Sequence, residues 1–214
     1  AHIMMYETGA PGLLSGVVLR TVSGKHGTLN IDELIRTVRK DVYFLPRTKL
    51  ICMENTHGLY GGTIVPLENI QAVHAFAKEH HLPMHLDGAR IWNACVATGI
   101  KPHEYAQYFD SLSVCFSKGL GAPIGSMIIG ARDFIAQARR YRKIFGGGMR
   151  QVGVLAAAAL YAIEHNIERL REDHEKARYF ANEIKDLPNI SVDMNEVQTN
   201  MVFIDIIKIG RAHV

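Results

Sequence analysis

The sequence predicts an α/β domain built on a mostly parallel sheet, and three observations support this class. Apolar runs of strand length alternate with helical segments along most of the 214 residues. The run "KLICME" (49–54) is continuously apolar before its final acid, which suits a strand buried on both faces. Apolar residues make up 48% and charged residues 21%, a normal balance for one large globular domain.

The first half of the chain contains the clearest element signals. Asn30 is a predicted N-cap with Glu33 three residues later, so a helix should begin there and run to about Lys40. Pro66 falls in the first turn of "PLENIQAVHAFAKEHH", whose apolar residues share one helical face. The remaining predicted strands are 83–87, 111–117 and 125–130, and a short helix is predicted at 101–109.

The second half contains three predicted helices of different character. "RDFIAQARRYRKIF" is amphipathic and ends at the triplet Gly146–Gly148. "QVGVLAAAALYAIEH" is rich in alanine and mostly apolar, which predicts a buried helix, whereas "IERLREDHEKARYFANEIKDL" is charged and predicted to lie outside the core. "ISVDM" and "TNMVFIDI" are predicted strands that begin a second, smaller domain.

Bulk composition argues against several classes of protein. The net charge of +3 gives little support for nucleic-acid binding, and the basic run "RRYRK" (139–143) better fits a solvated face or a subunit interface. No apolar run reaches the roughly 18 residues that a membrane span needs, and the first residues lack the pattern of a signal peptide. Three cysteines without a CxxC motif predict reduced thiols and a cytoplasmic protein.

Ligands of open α/β sheets bind beyond the carboxyl ends of the strands. Three segments follow predicted strands in this way: Glu54–His57, Asp87–Arg90 and Ser117–Gly121. A metal site at His80, His81, His85 and Asp87 is not expected, because these residues belong to two different elements and repeat no ligand spacing. No GxGxxG follows an early strand, so a dinucleotide-dependent oxidoreductase has no support.

Asp87 and Lys118 suit one cofactor in particular. Pyridoxal phosphate is an aldehyde that forms an imine with a lysine, and its pyridine nitrogen is held protonated by a carboxylate. A lysine in an apolar strand end would have its ammonium form disfavoured by desolvation, as an imine-forming amine requires. The alternative from spacing alone is a structural ion pair between Asp87 and Lys118, and that alternative stays open at this point.

From His2 to about Ile207 the chain resembles the L-threonine aldolases of low specificity, within the β-eliminating-lyase and threonine-aldolase family. The matching blocks occur in family order, and their combination is specific where any one would be weak. The blocks are "AHIMMYETGAPGLLSGV", "RTKLICMENTH", "GGTIVPLE", "HLDGARIWNA", "FDSLSVCFSKGLGAPIGSMIIG", "RRYRKIFGGGMRQVGVLAAAALYA" and "LREDHEKAR". The resemblance implies the aspartate-aminotransferase-like fold of pyridoxal-phosphate enzymes (fold type I) and a homotetramer.

Site roles follow from the resemblance, residue by residue. It implies that Lys118 is the Schiff-base lysine, that Asp87 holds the pyridine nitrogen and that Arg90 helps to bind the substrate carboxylate. His2 would stack on the cofactor ring and take part in proton transfer. The resemblance also implies that Ser117 lies near the phosphate or the imine. Arg150, with Lys143 nearby, would reach the phosphate from a neighbouring subunit.

The glycine triplet before Arg150 has two interpretations. Successive glycines leave backbone N–H groups free to form an anion nest, and the next helix begins at once with its positive dipole end. Taken alone, Gly146–Gly148 fits a flexible turn between helices better than an anion nest.

The chain departs from the family pattern at several points. Phe44 stands where the family often has a histidine, which leaves the general base and the preference for threo or allo substrates open. Gly58 replaces an asparagine, and the upstream phosphate loop and the C-terminal arginine of the family are not in this sequence. We therefore expect a chain truncated at both ends and inactive by itself, with 1–165 as the large cofactor-binding domain and 166–208 as the start of the small domain.

The last six residues, "IGRAHV" (209–214), break a good strand pattern. The string ATC GGA AGA GCA CAC GTC encodes them and resembles a common sequencing-library adapter. We expect residues 209–214 to be an adapter-derived artefact, with a genuine polar tail as the alternative.

The expected activity is pyridoxal-phosphate-dependent aldol cleavage of L-threonine or L-allo-threonine to glycine and acetaldehyde. The rival hypotheses are another lyase or a transaminase of the same fold, and a catalytically incompetent fragment of an aldolase. The expected partners are a β-hydroxy-α-amino acid and further copies of the chain, with no nucleic acid, membrane or metal.

Overall fold

A four-stranded mixed sheet organises the structure, a computed structural model that describes residues 1–207. Strands β1 (Ile51–Glu54), β2 (Met84–Gly88), β3 (Ser111–Cys115) and β4 (Ser126–Gly130) lie side by side in that order. The first three strands are parallel and β4 is antiparallel to β3, which confirms the mostly parallel α/β prediction. The segment 209–214, predicted to be adapter-derived, lies outside the described residues.

Helices and a small second sheet complete the described part of the chain. The α-helices α1 to α9 are His2–Met5, Ala10–Ser15, Ile31–Thr37, Leu67–Glu79, Ile91–Thr98, Pro102–Ala106, Arg132–Ile144, Gly153–His165 and Leu170–Ile184. A short 3₁₀ helix spans Gly58–Tyr60. Strands β5 (Ile190–Ser191) and β6 (Asp205–Ile206) pair antiparallel, so the predicted closing strands form but are much shorter than predicted. No helix within residues 1–207 is both long enough and apolar enough to cross a membrane.

Helix α3 forms with only one of the two hydrogen bonds of the predicted capping box. The side chain of Asn30 accepts a hydrogen bond of 2.9 Å from the Glu33 amide, as an N-cap should. The Asn30 amide, however, donates to the Ser23 carbonyl at 3.0 Å, and the Glu33 carboxylate contacts the Ser23 hydroxyl instead of turning back. The predicted capping box is therefore incomplete, and the helix ends at Thr37, before the predicted Lys40.

Strand alternation divides the sheet into an apolar and a polar face. Met84, Leu86 and Gly88 of β2 are buried, whereas His85 and Asp87 between them are half-buried. The apolar face belongs to one continuous core, which α4 and α5 also enter. Its main buried members from these elements are Ile51, Met53, Met84, Leu86, Leu112, Val114, Ile70, Val73, Phe76, Ile91 and Ala94.

Two predictions about helix burial were wrong. Helix α8 was predicted to be buried, but Ala162 is its one buried residue, and Leu160 and Tyr161 are more than half exposed. The apolar composition of α8 indicates a helix whose surface is normally covered by other parts of a protein, but residues 1–207 leave that surface exposed. Helix α9 was predicted to lie outside the core, yet its Leu170 is buried in the core cluster, because one stripe of this charged helix packs against α5.

Leu86 is fully buried at the centre of β2, so its truncation should leave a cavity. We expect Leu86→Ala to lower the free energy of unfolding by about 2–5 kcal/mol. Leu13→Ala is the control, because Leu13 is 83% exposed and its truncation should change stability by less than about 0.5 kcal/mol. Urea unfolding followed by circular dichroism measures both values, and equal values for the two variants would contradict the assigned core.

Two half-buried histidines should make the fold sensitive to mild acid. Burial is the main cause that lowers the pKa of His85 and of His174, whose Nε2 atom lies 3.1 Å from the Asn93 amide nitrogen. An unfolded histidine binds a proton near pH 6.5, whereas these folded histidines bind it only at lower pH. Stability should therefore fall as the pH drops through about 6.5, by at most about 1.4 kcal/mol per pH unit for each histidine.

Urea unfolding at pH 7.5, 6.5 and 5.5 measures this pH dependence. His174→Gln should flatten it, because glutamine can pair with Asn93 without a proton to gain. His165→Gln is the matched control on the exposed end of α8 and should keep the original slope. If the free energy of unfolding of His174→Gln depends on pH as steeply as that of the unaltered protein, His174 does not contribute to the pH dependence.

Candidate active site at the carboxyl end of the sheet

The polar face of the sheet places acidic and hydroxyl side chains next to one another. Glu54 at the end of β1 is the register partner of Asp87 in β2, and Asp87 is in turn the partner of Ser113 in β3. Partnered residues of a parallel pair present their side chains on the same face. The carboxyl ends of β1, β2 and β3 thus form one continuous polar surface.

Asp87 is half-buried and lies close to other titratable groups. Its Oδ1 atom accepts a hydrogen bond of 3.1 Å from the Ala89 amide, which fixes the carboxylate at the turn after β2. Burial, together with the negative charge of Asp87, raises the pKa of the Cys52 thiol to about 11. Cys52 is therefore a neutral thiol at physiological pH.

Lys118 lies in a bend rather than in the strand. Strand β3 ends at Cys115, earlier than the predicted 117, and the chain then turns, with the Gly121 amide donating to the Lys118 carbonyl at 2.9 Å. Gly121 has φ +74°, which a glycine adopts without strain. The expectation of a desolvated lysine is wrong for this chain by itself, because the bend leaves the Lys118 side chain exposed.

The Lys118 amine is directed to the same face as Asp87. Its Nζ atom donates to the Cys115 Sγ atom at 3.1 Å. Cys115 is two residues beyond Ser113, which is the register partner of Asp87. By strand geometry, the Cα atoms of Cys115 and Asp87 are therefore roughly 8 Å apart. No ion pair joins Asp87 and Lys118 among residues 1–207, so the structural ion pair considered from the sequence does not form.

Glu54 is the most highly connected side chain at this edge. Its carboxylate is buried and accepts two backbone hydrogen bonds, from the His2 amide at 2.6 Å and from the Gly58 amide at 2.8 Å. The His57 Nε2 atom lies 3.8 Å from the same carboxylate. Glu54 thereby connects the start of the chain, the end of β1 and the loop that follows it.

The loop after β1 contains buried polar atoms that have no hydrogen-bond partner among residues 1–207. These atoms are Asn55 Nδ2, Thr56 Oγ1 and His57 Nδ1. Burial lowers the pKa of His57, although the negative charges of Glu54 and Asp87 oppose the shift. His57 is therefore neutral near pH 7, and its Nδ1 atom is free to donate or accept a proton.

His2 and Arg90 both approach the Glu54 loop. The His2 imidazole is half exposed, and its Nε2 atom lies 2.9 Å from a Glu7 carboxylate oxygen. A β-carbon on Gly58 would lie 3.2 Å from Glu54 Oε1 and 3.4 Å from Arg90 Nη1, so the acid and the guanidinium both approach the side of Gly58 where a side chain would be. An asparagine at 58, the residue of the family pattern, would fit only after these groups moved slightly.

The other predicted site residues are not brought into this cluster. Ser117 is exposed in the bend before Lys118, whereas Lys143 on α7 and Arg150 just before α8 are exposed on another part of the surface. Within residues 1–207, neither Lys143 nor Arg150 forms an ion pair. Phe44 is 69% exposed in a turn.

The structure adds functional candidates to which the sequence assigned no role. Glu54 and His57 stood in a segment selected only because it followed a strand, and Cys115 was predicted only to be a reduced thiol. The available signal for Glu54 and His57 was the polar run "ENTH" directly after an apolar strand. A buried acid at that position needs hydrogen-bond donors, but the sequence could not show which residues supply them.

The chain is similar in sequence to a known family and to named proteins of other organisms. The model of the family described as Beta-eliminating lyase matches residues 1–207. The chain is 45% identical over 210 residues to a protein of Arabidopsis thaliana named probable low-specificity L-threonine aldolase 2, which covers 96% of this chain and 59% of that protein. It is 40% identical over 205 residues to the low specificity L-threonine aldolase of Escherichia coli K12, covering 95% and 60%.

Solved structures have the same fold at lower sequence identity. A Listeria monocytogenes structure provisionally named L-allo-threonine aldolase has a TM-score of 0.82 at 24% identity, covering 95% of this chain and 55% of that one. Threonine aldolase from Leishmania major has a TM-score of 0.76 at 22% identity, covering 90% and 56%. The chain thus spans somewhat more than half the length of the relatives it matches. The family match covers all of the described residues, and the chain belongs to the Beta-eliminating lyase family.

Proposed function

We propose that the whole protein cleaves L-threonine or L-allo-threonine to glycine and acetaldehyde with pyridoxal phosphate as cofactor. The observation that carries this proposal is the 45% identity, over 96% of the chain, to a protein named as a low-specificity L-threonine aldolase. Because the chain spans 59% of that relative, the activity is proposed for the whole protein and not for these residues in isolation.

The residues present fit this cofactor. Lys118 offers an amine that contacts only a thiol, and Asp87 on the same face offers a carboxylate without a salt-bridge partner among residues 1–207. The unpartnered Asn55 Nδ2, Thr56 Oγ1 and His57 Nδ1 atoms lie in the adjoining loop, where a polar group can satisfy them. An amine, a carboxylate and an arginine are the groups that an aldehyde, a pyridine nitrogen and a substrate carboxylate require.

Each proposed role uses the chemistry of the side chain concerned. When bound, pyridoxal phosphate supplies an aldehyde for amines and a ring that accepts the electron pair released from the Cα–Cβ bond. Lys118 provides the attachment amine, and Asp87 holds a proton at the ring nitrogen. The planar guanidinium of Arg90 binds the substrate carboxylate with two hydrogen bonds and so orients the bond to be cleaved.

Removal of the proton from the substrate's β-hydroxyl needs a base. His2 is the proposed base as well as the proposed stacking residue, because its imidazole is half exposed and its backbone amide contacts Glu54 at the edge of the sheet. A bound water is the alternative. Phe44 has no proton-accepting group, so position 44 cannot supply the base.

Further proposals concern the phosphate, the assembly and the compartment. Ser117 would lie near the phosphate or the imine, and Arg150 with Lys143 would reach the phosphate from a neighbouring subunit of a homotetramer. The wide exposure of apolar side chains on β4, α7 and α8 supports an assembly in which this face is covered. The free state of all three cysteines supports a cytoplasmic location. We keep 1–165 and 166–208 as the proposed domains.

Replacement of Lys118 tests the assigned attachment residue. The whole protein, incubated with pyridoxal phosphate, should develop a visible absorbance band that arises from the lysine-bound cofactor. Lys118→Ala should lose this band, and Lys101→Ala, which changes an exposed lysine away from the sheet edge, should retain it. A band of equal strength in Lys118→Ala would show that another lysine holds the cofactor.

A product assay separates the proposed aldolase from another lyase or a transaminase of this fold. L-Threonine should yield glycine and acetaldehyde in equal amounts, with no keto acid formed. Asp87→Asn should lower the rate at least about 100-fold, because the amide cannot keep the ring nitrogen protonated. Keto-acid formation, or a rate in Asp87→Asn close to that of the unaltered protein, would contradict the proposed activity.

A further inference from the structure

Segment 1–15, which contains His2, is weakly anchored by packing. Helices α1 and α2 have no buried residue between them. Apolar side chains in this segment, such as Leu13 at 83%, are largely exposed. Among residues 1–207, hydrophobic contact thus contributes little to where His2 lies, and specific polar contacts hold it.

Glu54 supplies the strongest of these polar contacts. Its carboxylate is 6% exposed and accepts the His2 amide at 2.6 Å across 52 residues of sequence. The other oxygen accepts the Gly58 amide at 2.8 Å, so both oxygens are used. Charge-assisted hydrogen bonds of this length are stronger than neutral ones, and a buried carboxylate is costly without such donors.

The location of Glu54 connects this contact to the site. Glu54 is the register partner of Asp87, and a β-carbon on Gly58 would meet both Glu54 Oε1 and Arg90 Nη1. The nearest imidazole, that of His57, is neutral near pH 7 and gives Glu54 no full countercharge. The two backbone amides are thus the principal partners of the acid, and one of them belongs to a proposed site residue.

We propose that Glu54 is a positioning residue that fixes His2 beside Asp87. The acid itself touches neither substrate nor cofactor in this role. It acts through the His2 backbone, so that the His2 imidazole is presented at the same edge of the sheet as the Asp87 carboxylate. The inference rests on the proposed function for its catalytic consequence, whereas the tether itself is a property of the protein without ligand.

Amide hydrogen exchange of the cofactor-free whole protein tests the tether directly. Glu54→Ala should make the His2 amide exchange at least about 10-fold faster, and Glu54→Gln, which keeps an acceptor but loses the charge, should have a smaller effect. Glu7→Gln is the matched control, since Glu7 contacts the His2 imidazole but not its amide. Unchanged exchange at His2 in a folded Glu54→Ala or Glu54→Gln variant would overturn the proposal.

A double-mutant cycle tests the consequence for the site. Circular dichroism of the bound cofactor in the visible range should change in His2→Ala, and Glu54→Gln should give a change of the same sign. If Glu54 acts through His2, then Glu54→Gln should add little in the His2→Ala background. A fully additive change would mean that Glu54 acts by another route and would overturn the positioning role.

The two measurements also separate this inference from the proposed function. If the unaltered protein binds no cofactor, the proposed function fails, and the exchange experiment still decides whether the tether exists. If the cofactor binds at Lys118 and the exchange at His2 does not respond to Glu54, the inference fails alone.

Discussion

The parallel register of β1, β2 and β3 is the constraint on which the candidate site depends. It places Glu54 beside Asp87, and Asp87 beside Ser113, with Cys115 two residues further along. A shift of one residue in any strand would move its polar side chains to the apolar face. Because the apolar face is buried in the core, the hydrophobic pattern that stabilises the fold also fixes the site.

Two carboxylates on adjacent strands repel each other, and the local structure offsets that repulsion with hydrogen-bond donors. Glu54 is held by two backbone amides, and Asp87 by the Ala89 amide. The neighbouring His57 and Cys52 are kept neutral mainly by burial, so they add no charge to the cluster. Lysine and arginine then approach from the loops, where their charges remain partly in contact with solvent.

Sequence reasoning predicted what depends on local pattern. Asp87 and Lys118 were identified because each lies at the end of a predicted apolar strand, and the family blocks gave the fold. The exposure of Lys118 was missed because the strand ends at Cys115, a boundary that "SLSVCFS" does not mark. The roles of Glu54 and of the exposed α8 were missed for another reason: each depends on what lies opposite in space, and no local pattern encodes a contact across 52 residues.

The central claim is that Lys118 carries the cofactor at an edge shared with Asp87. The most direct measurement is reduction of the cofactor-loaded whole protein with borohydride, followed by mass spectrometry of its peptides. We expect the cofactor adduct to be found on Lys118. An adduct on a different lysine, with Lys118 unmodified, would contradict it.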